Sequence, residues 1–152
     1  GGAVRTSRGY TFVEIAITLA IVATLSGIGY VLYTEHLERT RIARACAEIL
    51  SISQACVQYY NDHLQYPETL SDVGCESIRD PWGRPYQYLN IQTAKGKGSM
   101  RKDRFLVPIN TDFDLYSVGA DGDSSAPLTA KNSRDDIIRA NNGAYIGFAA
   151  GY

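Results

Sequence analysis

A long apolar segment lies close to the beginning of the chain. Twenty consecutive residues without a charged side chain run from Ile15 to Thr34, in the sequence IAITLAIVATLSGIGYVLYT. At about 1.5 Å per residue, a helix of this length extends roughly 30 Å, the hydrocarbon thickness of a bilayer. Arg5 and Arg8 are the basic residues before it, and basic residues on that side favour a cytoplasmic N-terminus. The pattern predicts a membrane-spanning helix with the rest of the chain translocated.

The polar sequence after the apolar span continues the helical pattern. A cleaved secretory signal is the alternative, but its apolar region is usually shorter and ends at a small-residue cleavage site. Here neither proline nor glycine occurs from Glu35 to His63. We therefore predict one helix from Tyr10 to His63, about 80 Å long, whose second half packs on a sheet. The predicted apolar face of this helix consists of residues that recur at spacings of three, four or seven: Ile42, Cys46, Ile49, Cys56, Tyr60 and His63.

The residues after His63 are typical of turns and short strands. The connection Thr93–Asp103 carries four basic residues. It lacks the rest of a phosphate-binding loop, so we interpret it as a solvated hairpin tip. One long helix followed by consecutive antiparallel strands predicts an α+β fold. The predicted strands are Tyr86–Gln92, Arg104–Ile109 and Phe113–Val118.

Composition limits the function classes further. A chain of 152 residues is long enough for one domain with a modest core. With 15 Lys and Arg against 16 Asp and Glu, the net charge is −1, which gives no general electrostatic footprint for nucleic acid. A membrane-anchored enzyme is also disfavoured, because no nucleophile–base pairing or zinc-ligand spacing is present in the sequence.

The sequence RGYTFVE from Arg8 to Glu14, followed by the apolar run, resembles the type IV prepilin and pseudopilin family. In that family a short basic leader ends in glycine, and a prepilin peptidase cuts after it. The new first residue is then N-methylated, and a glutamate stands fifth in the mature chain. The resemblance implies a leader over residues 1–9, a cut between Gly9 and Tyr10, and an assembly role for Glu14. Tyr10 departs from the phenylalanine that is more common there.

Glu14 has two interpretations at the edge of the apolar span. A carboxylate there could simply rest in the headgroup region, where its energetic penalty is small. In a filament of the kind that the resemblance implies, the helices lie side by side, and a neighbour's N-terminal amine could pair with Glu14. Removing one member of a buried ion pair costs about 3–5 kcal/mol. We therefore expect Glu14→Ala to insert in the membrane but to assemble poorly.

Three motifs in the head resemble the major pseudopilins of type II secretion systems. They are YPETL from Tyr66, DPWGRPYQY from Asp80 and DLYSVGADG from Asp114, in the same order and at similar separations. The resemblance implies a type IV pilin-like fold, with an assembly helix over residues 10–34 and a head over 35–152. It also implies a homo-oligomeric filament, an inner-membrane assembly platform and minor pseudopilins as partners. A surface pilus for adhesion, motility, DNA uptake or electron transfer is the alternative function.

An acidic loop follows the third predicted strand. Asp121, Asp123, Asp135 and Asp136 could supply the oxygen ligands that calcium prefers, if the loop folds back. Major pseudopilins bind calcium in this loop, so the resemblance implies a structural calcium ion. Asp121 and the carbonyl of Val118 match that ligand set directly, Asp135 and Asp136 match it less closely, and Asp123 has no clear counterpart. The alternative is a solvated polar loop.

The three cysteines also leave alternatives open. Translocated cysteines meet an oxidising compartment. Cys46 and Cys56 lie about 15 Å apart on the predicted helix and cannot bridge each other. Cys75, in the loop after the helix, could pair with either of them. We predict a disulfide between Cys56 and Cys75, with reduced, unpaired thiols as the alternative.

The tail from Ala144 to Tyr152 is apolar, uncharged and rich in small residues. It is either an additional strand or a contact between neighbouring subunits, and an exposed apolar tail favours the contact.

Overall fold

The computed structural model describes residues 1–3, 9–104 and 106–152. Arg5 and Arg8 of the predicted leader, and Phe105 in one predicted strand, lie outside the described residues. The chain divides into two compact units, residues 1–39 and 40–152. The elements, in order, are helix α1 (Phe12–His63) and strands β1 (Gln87–Asn90), β2 (Phe113–Ser117), β3 (Ile137–Ala140) and β4 (Tyr145–Phe148).

Helix α1 confirms the predicted long helix, with 52 residues that begin two positions after Tyr10 and end at His63. It is long and apolar enough to cross a membrane, and none of its most apolar 18 consecutive residues is buried. The large side chains of this segment are all exposed: Leu19 is 63% and Leu25 64% accessible. Among the described residues of the first unit, therefore, none covers the apolar surface of the helix.

In the second unit, the later part of α1 supplies one side of a core. Ala45, Ile49, Ile52 and Cys56 are buried at spacings of three or four residues, as an amphipathic helix requires. Ile42 and Cys46 of the predicted apolar face are partly buried against this core. The prediction for His63 is wrong, because its ring is exposed at the helix end, where it stacks on Tyr59 at 4.1 Å.

The described residues form a four-stranded antiparallel sheet in the order β1-β2-β3-β4. Both faces of this sheet are covered. Phe113, Leu115 and Ile137 pack in one cluster with the buried residues of α1. Ile138 and Ala140 point to the opposite face, where loop residues complete a second cluster. These two layers confirm the predicted α+β, type IV pilin-like architecture.

The strand predictions are partly right. Tyr86–Gln92 and Phe113–Val118 contain β1 and β2. The strand predicted over Arg104–Ile109 is wrong: its described residues form only an isolated bridge from Leu106 to Asp103. The tail contains β4, which pairs with β3, so the additional-strand interpretation describes the structure.

Candidate functional site

The predicted processing and assembly residues lie at the start of α1. Gly9 and Tyr10 are exposed and precede the helix, and Tyr10 is 84% accessible. The backbone N–H of Glu14 donates to Thr11 Oγ1 at 3.2 Å, and the Thr11 N–H donates to Glu14 Oε2 at 3.2 Å. This reciprocal pair is a capping box, which satisfies two backbone donors at the helix start. In the single chain, therefore, Glu14 caps its own helix.

Three of the acidic-loop residues come together near the surface. The N–H of Asp121 donates to Asp135 Oδ2 at 3.2 Å, and the N–H of Asp123 donates to Asp121 Oδ1 at 3.0 Å. Half-buried Val118 stands just before the turn at Gly119. Gly119 has φ +72°, and a Cβ there would overlap the carbonyl oxygen of Asp135. The backbone at one end of the loop therefore lies close to the backbone at the other end, as expected if the loop folds back on itself.

Asp136 lies in different surroundings from the other three aspartates. Asp136 is fully buried, and its Oδ2 lies 2.8 Å from Nη2 of Arg101. The Ser124 hydroxyl donates to the same oxygen. Burial is the main cause that raises the pKa of Asp136 to about 7; the Ser124 hydrogen bond and the charge of Arg101 oppose this rise, and the charges of Asp135 and Asp121 add to it. Asp136 therefore belongs to a buried ion pair.

Arg101 is the functional side chain that the sequence interpretation missed. The solvated-tip prediction for Thr93–Asp103 is wrong at this point, since Met100 and Arg101 are 6% and 2% accessible. The guanidinium of Arg101 donates to the Ser125 carbonyl and to the Ser124 hydroxyl, besides Asp136. The apolar side chain of Met100, within an otherwise polar loop, is the sequence signal that this segment returns to the core.

A second arginine holds the other end of the acidic loop. Nη1 of Arg84 donates to the carbonyl oxygens of Gly119 and Ala120, at 3.1 and 3.4 Å. A Cβ at Gly122 would overlap the Arg84 guanidinium, and Gly122 has φ +72°. Glycine is therefore required at position 122, both by the backbone conformation and by the arginine beside it.

The predicted ligands do not form one calcium site in this arrangement. Among residues 1–3, 9–104 and 106–152, no group of three or more His, Cys, Asp or Glu side chains is placed to hold a metal. Oδ2 of Asp136 is paired with Arg101, whereas its Oδ1 is buried without a hydrogen-bond partner among the described residues. Calcium bound by Asp121, Asp123, Asp135, Asp136 and the Val118 carbonyl stays a prediction.

All three cysteines are free thiols in the structure. The predicted disulfide is not formed, although Cys56 and Cys75 belong to the same core cluster. Burial, and next the charge of Cys75, raise the pKa of Cys56 to about 12. The structure thus matches the unpaired alternative, and an oxidised Cys56–Cys75 pair stays a prediction for the translocated protein.

A long N-terminal helix packed on a four-stranded antiparallel sheet is a type IV pilin-like architecture. The chain is 28% identical over 141 residues to the type II secretion system core protein G of Pseudomonas aeruginosa, covering 78% of this chain and 87% of that protein. It is 22% identical over 139 residues to the type IV major pilin protein PilE of Neisseria gonorrhoeae, covering 88% and 83%. No protein-family model matches the chain.

A shorter similarity connects the chain to a fimbrial protein of Neisseria meningitidis, with 25% identity over 85 residues, 56% of this chain and 50% of that protein. The names of these relatives are those of pilins, a fimbrial protein and a secretion-system core protein. None of the three is named as an enzyme. The relatives and the architecture together support a type IV pilin-like family for the chain.

Proposed function

We propose that the chain is a structural subunit of a helical pilus-like filament, as the major pseudopilin of a type II protein secretion system. The observation that carries this proposal is the exposed apolar part of α1, in which none of the most apolar 18 consecutive residues is buried. A surface of this kind needs lipid or other apolar helices around it. Lipid before assembly and copies of the same helix after assembly satisfy that need in turn.

Before assembly, the subunit is a single-pass protein of the bacterial inner membrane. Arg5 and Arg8 stay in the cytoplasm and the head is translocated, in agreement with the positive-inside rule. A prepilin peptidase removes residues 1–9 by cutting between Gly9 and Tyr10, and the new amine of Tyr10 is N-methylated. The exposure of both residues ahead of α1 is compatible with that cut.

During assembly, Glu14 changes its partner. Its carboxylate caps its own helix through the Thr11 N–H at 3.2 Å, and in the filament it pairs with the N-terminal amine of a neighbouring subunit. A charged amine is a stronger partner than a neutral backbone N–H. The inner-membrane assembly platform and minor pseudopilins are the partners that this step requires.

Filament yield from Glu14 variants tests the assembly role. We expect Glu14→Ala to reach the membrane at normal levels and to give few filaments, because the neighbour's amine loses its partner. Glu35→Ala is the matched control, because it removes an exposed carboxylate farther along the same helix. Filament counts by electron microscopy, normalised to the amount of membrane subunit, decide the result. Normal yield from Glu14→Ala would contradict the proposed role.

A surface pilus is the second candidate, and the similarity to the gonococcal major pilin over 88% of the chain favours it. Antibody labelling of intact cells at native expression separates the two functions. Label confined to the envelope, with exoproteins retained when the gene is deleted, supports the pseudopilin. Long labelled surface filaments, with normal secretion in the deletion strain, support the pilus.

A further inference from the structure

We infer that Arg101 is a built-in cation that closes the acidic loop from inside, in place of the calcium ion that the resemblance implies, so that the head needs no divalent metal to hold this loop. Three oxygen atoms from two separate parts of the loop converge on its guanidinium. They belong to the Ser124 hydroxyl, the Ser125 carbonyl and the Asp136 carboxylate. Hydroxyl, carbonyl and carboxylate oxygens are also the ligands that a calcium ion takes in proteins.

The burial of this cluster explains why a cation is needed there. Asp136 is fully buried, and a buried carboxylate without an opposite charge is strongly unfavourable. Arg101 supplies that charge at 2.8 Å while being only 2% accessible itself. The cation therefore comes from the chain, and solvent does not have to provide it.

Arg101 is also held in place from the sheet. Its guanidinium carbon lies 3.5 Å from the centre of the Tyr116 ring in β2, which adds a cation–π contact. Its backbone N–H donates to Asp114 Oδ2 at 2.7 Å, in the same strand. These contacts hold Arg101 between the sheet and the loop.

Arg84 does the same at the other end of the loop. It donates to the carbonyl oxygens of Gly119 and Ala120, in the same turn as the predicted metal ligands Val118 and Asp121. Two guanidinium groups thus hold the start and the end of the acidic loop. This role is independent of the filament proposal, because every contact in it lies within one head.

The test compares thermal unfolding of the full chain in detergent micelles, with millimolar calcium and with a chelator. We expect the same Tm in both solutions, and no saturable terbium luminescence when terbium replaces calcium as the probe. A clear rise of Tm with calcium, or stoichiometric terbium binding in the wild type, would overturn the inference. This comparison uses only the unmodified protein, so it does not depend on whether a variant folds.

Two substitutions test the role of the guanidinium directly. We expect Arg101→Gln to lower Tm by about 10 °C, because it leaves the Asp136 carboxylate buried without a counter-charge. Arg44→Gln is the matched control, since Arg44 pairs with Glu48 at the surface with 58% of its side chain accessible, and it should shift Tm by about 2 °C at most. The double variant Arg101→Gln/Asp136→Asn should regain part of the loss. Simple additivity of the two single losses would contradict the ion pair.

Discussion

The two parts of helix α1 contrast in what covers them. Around Leu19 and Leu25 the apolar side chains are more than 60% accessible, whereas Ile49 and Ile52 are 0% and 1% accessible. Both parts are regular α-helix with a sustained supply of apolar residues. The second part finds its cover inside the chain, on the strands of the sheet. The first part has no such cover among the described residues, and the proposed filament subunit would cover it first with lipid and then with copies of the same helix.

The largest expected effect uses two phenylalanines, one in each unit. Phe113 is fully buried and Phe12 is 86% accessible. Phe113→Ala should lower the free energy of unfolding of the head by about 3–5 kcal/mol, because it removes apolar contacts and leaves a cavity. Phe12→Ala should leave that free energy nearly unchanged. Chemical denaturation in micelles, followed by circular dichroism, measures both; equal losses would contradict the contrast between the two units.

A somewhat smaller loss is expected at the second buried ion pair of the head. Arg139 donates to both carboxylate oxygens of Asp112, at 2.7 and 2.8 Å, and its guanidinium lies 4.0 Å from the centre of the Phe113 ring. Asp112→Asn should remove about 3 kcal/mol, since it leaves the buried guanidinium without a counter-charge. Asp62→Asn, at an exposed position of α1, is the control and should change stability little. A difference between the variants below the error of the denaturation curves would refute this expectation.

Thiol labelling tests the burial of a core residue of α1 without a substitution that alters stability. The thiolate is the reactive form of cysteine, and burial raises the pKa of Cys56 to about 12. Cys56 should therefore resist a thiol reagent at neutral pH in the folded head, and labelling should increase as pH approaches that value. Mass spectrometry of the labelled protein reads the result at each position.

The same labelling decides the predicted disulfide. If the thiols are free, unfolding without reductant should expose Cys46, Cys56 and Cys75 to the reagent. If Cys56 and Cys75 are paired in the translocated protein, only Cys46 reacts until a reductant is added. Protein purified from the cell envelope is required, because the oxidising compartment decides the state.

The smallest expected effect is at the surface of α1. Arg44 and Glu48 form an exposed i,i+4 pair with Nε and Oε1 2.6 Å apart. Arg44→Ala should lower the free energy of unfolding by about 0.5 kcal/mol or less, because water screens such pairs. The same denaturation experiment measures it. A loss as large as that of Asp112→Asn would show that the exposure of an ion pair does not determine its contribution to the free energy of unfolding.

The long helix, β1 and β2 could be predicted because their signals are local. Helix α1 has a sustained periodicity without proline, and β2 alternates apolar and polar positions between bounding turns. The third strand, Ile137–Ala140, was missed for a physical reason. It is buried along its whole length and so shows no alternation. It also contains Arg139, whose charge suggests a surface position until Asp112 is seen beside it.

The candidate functional residues show the same difference between local and long-range sequence signals. Gly9, Tyr10 and Glu14 follow from a short contiguous motif, and the sequence placed them together before α1. The acidic loop depends on residues far apart in the chain. Asp136 and Arg101 are 35 positions apart, so no local pattern shows that they pair. The sequence can indicate a cluster of carboxylates, but only the tertiary structure shows that Arg101 pairs with Asp136.

The short edges of the sheet have a consequence for crowding. The edge strands β1 and β4 each contain only four residues, and β4 is followed at once by a 3-10 turn over Ala149–Gly151. Exposed strand edges invite strand addition by another chain, and short, interrupted edges limit it. A subunit stored in a membrane at high density, and then stacked in many copies, would face that hazard continually. In the proposed filament, the short edges would limit strand pairing between neighbouring heads.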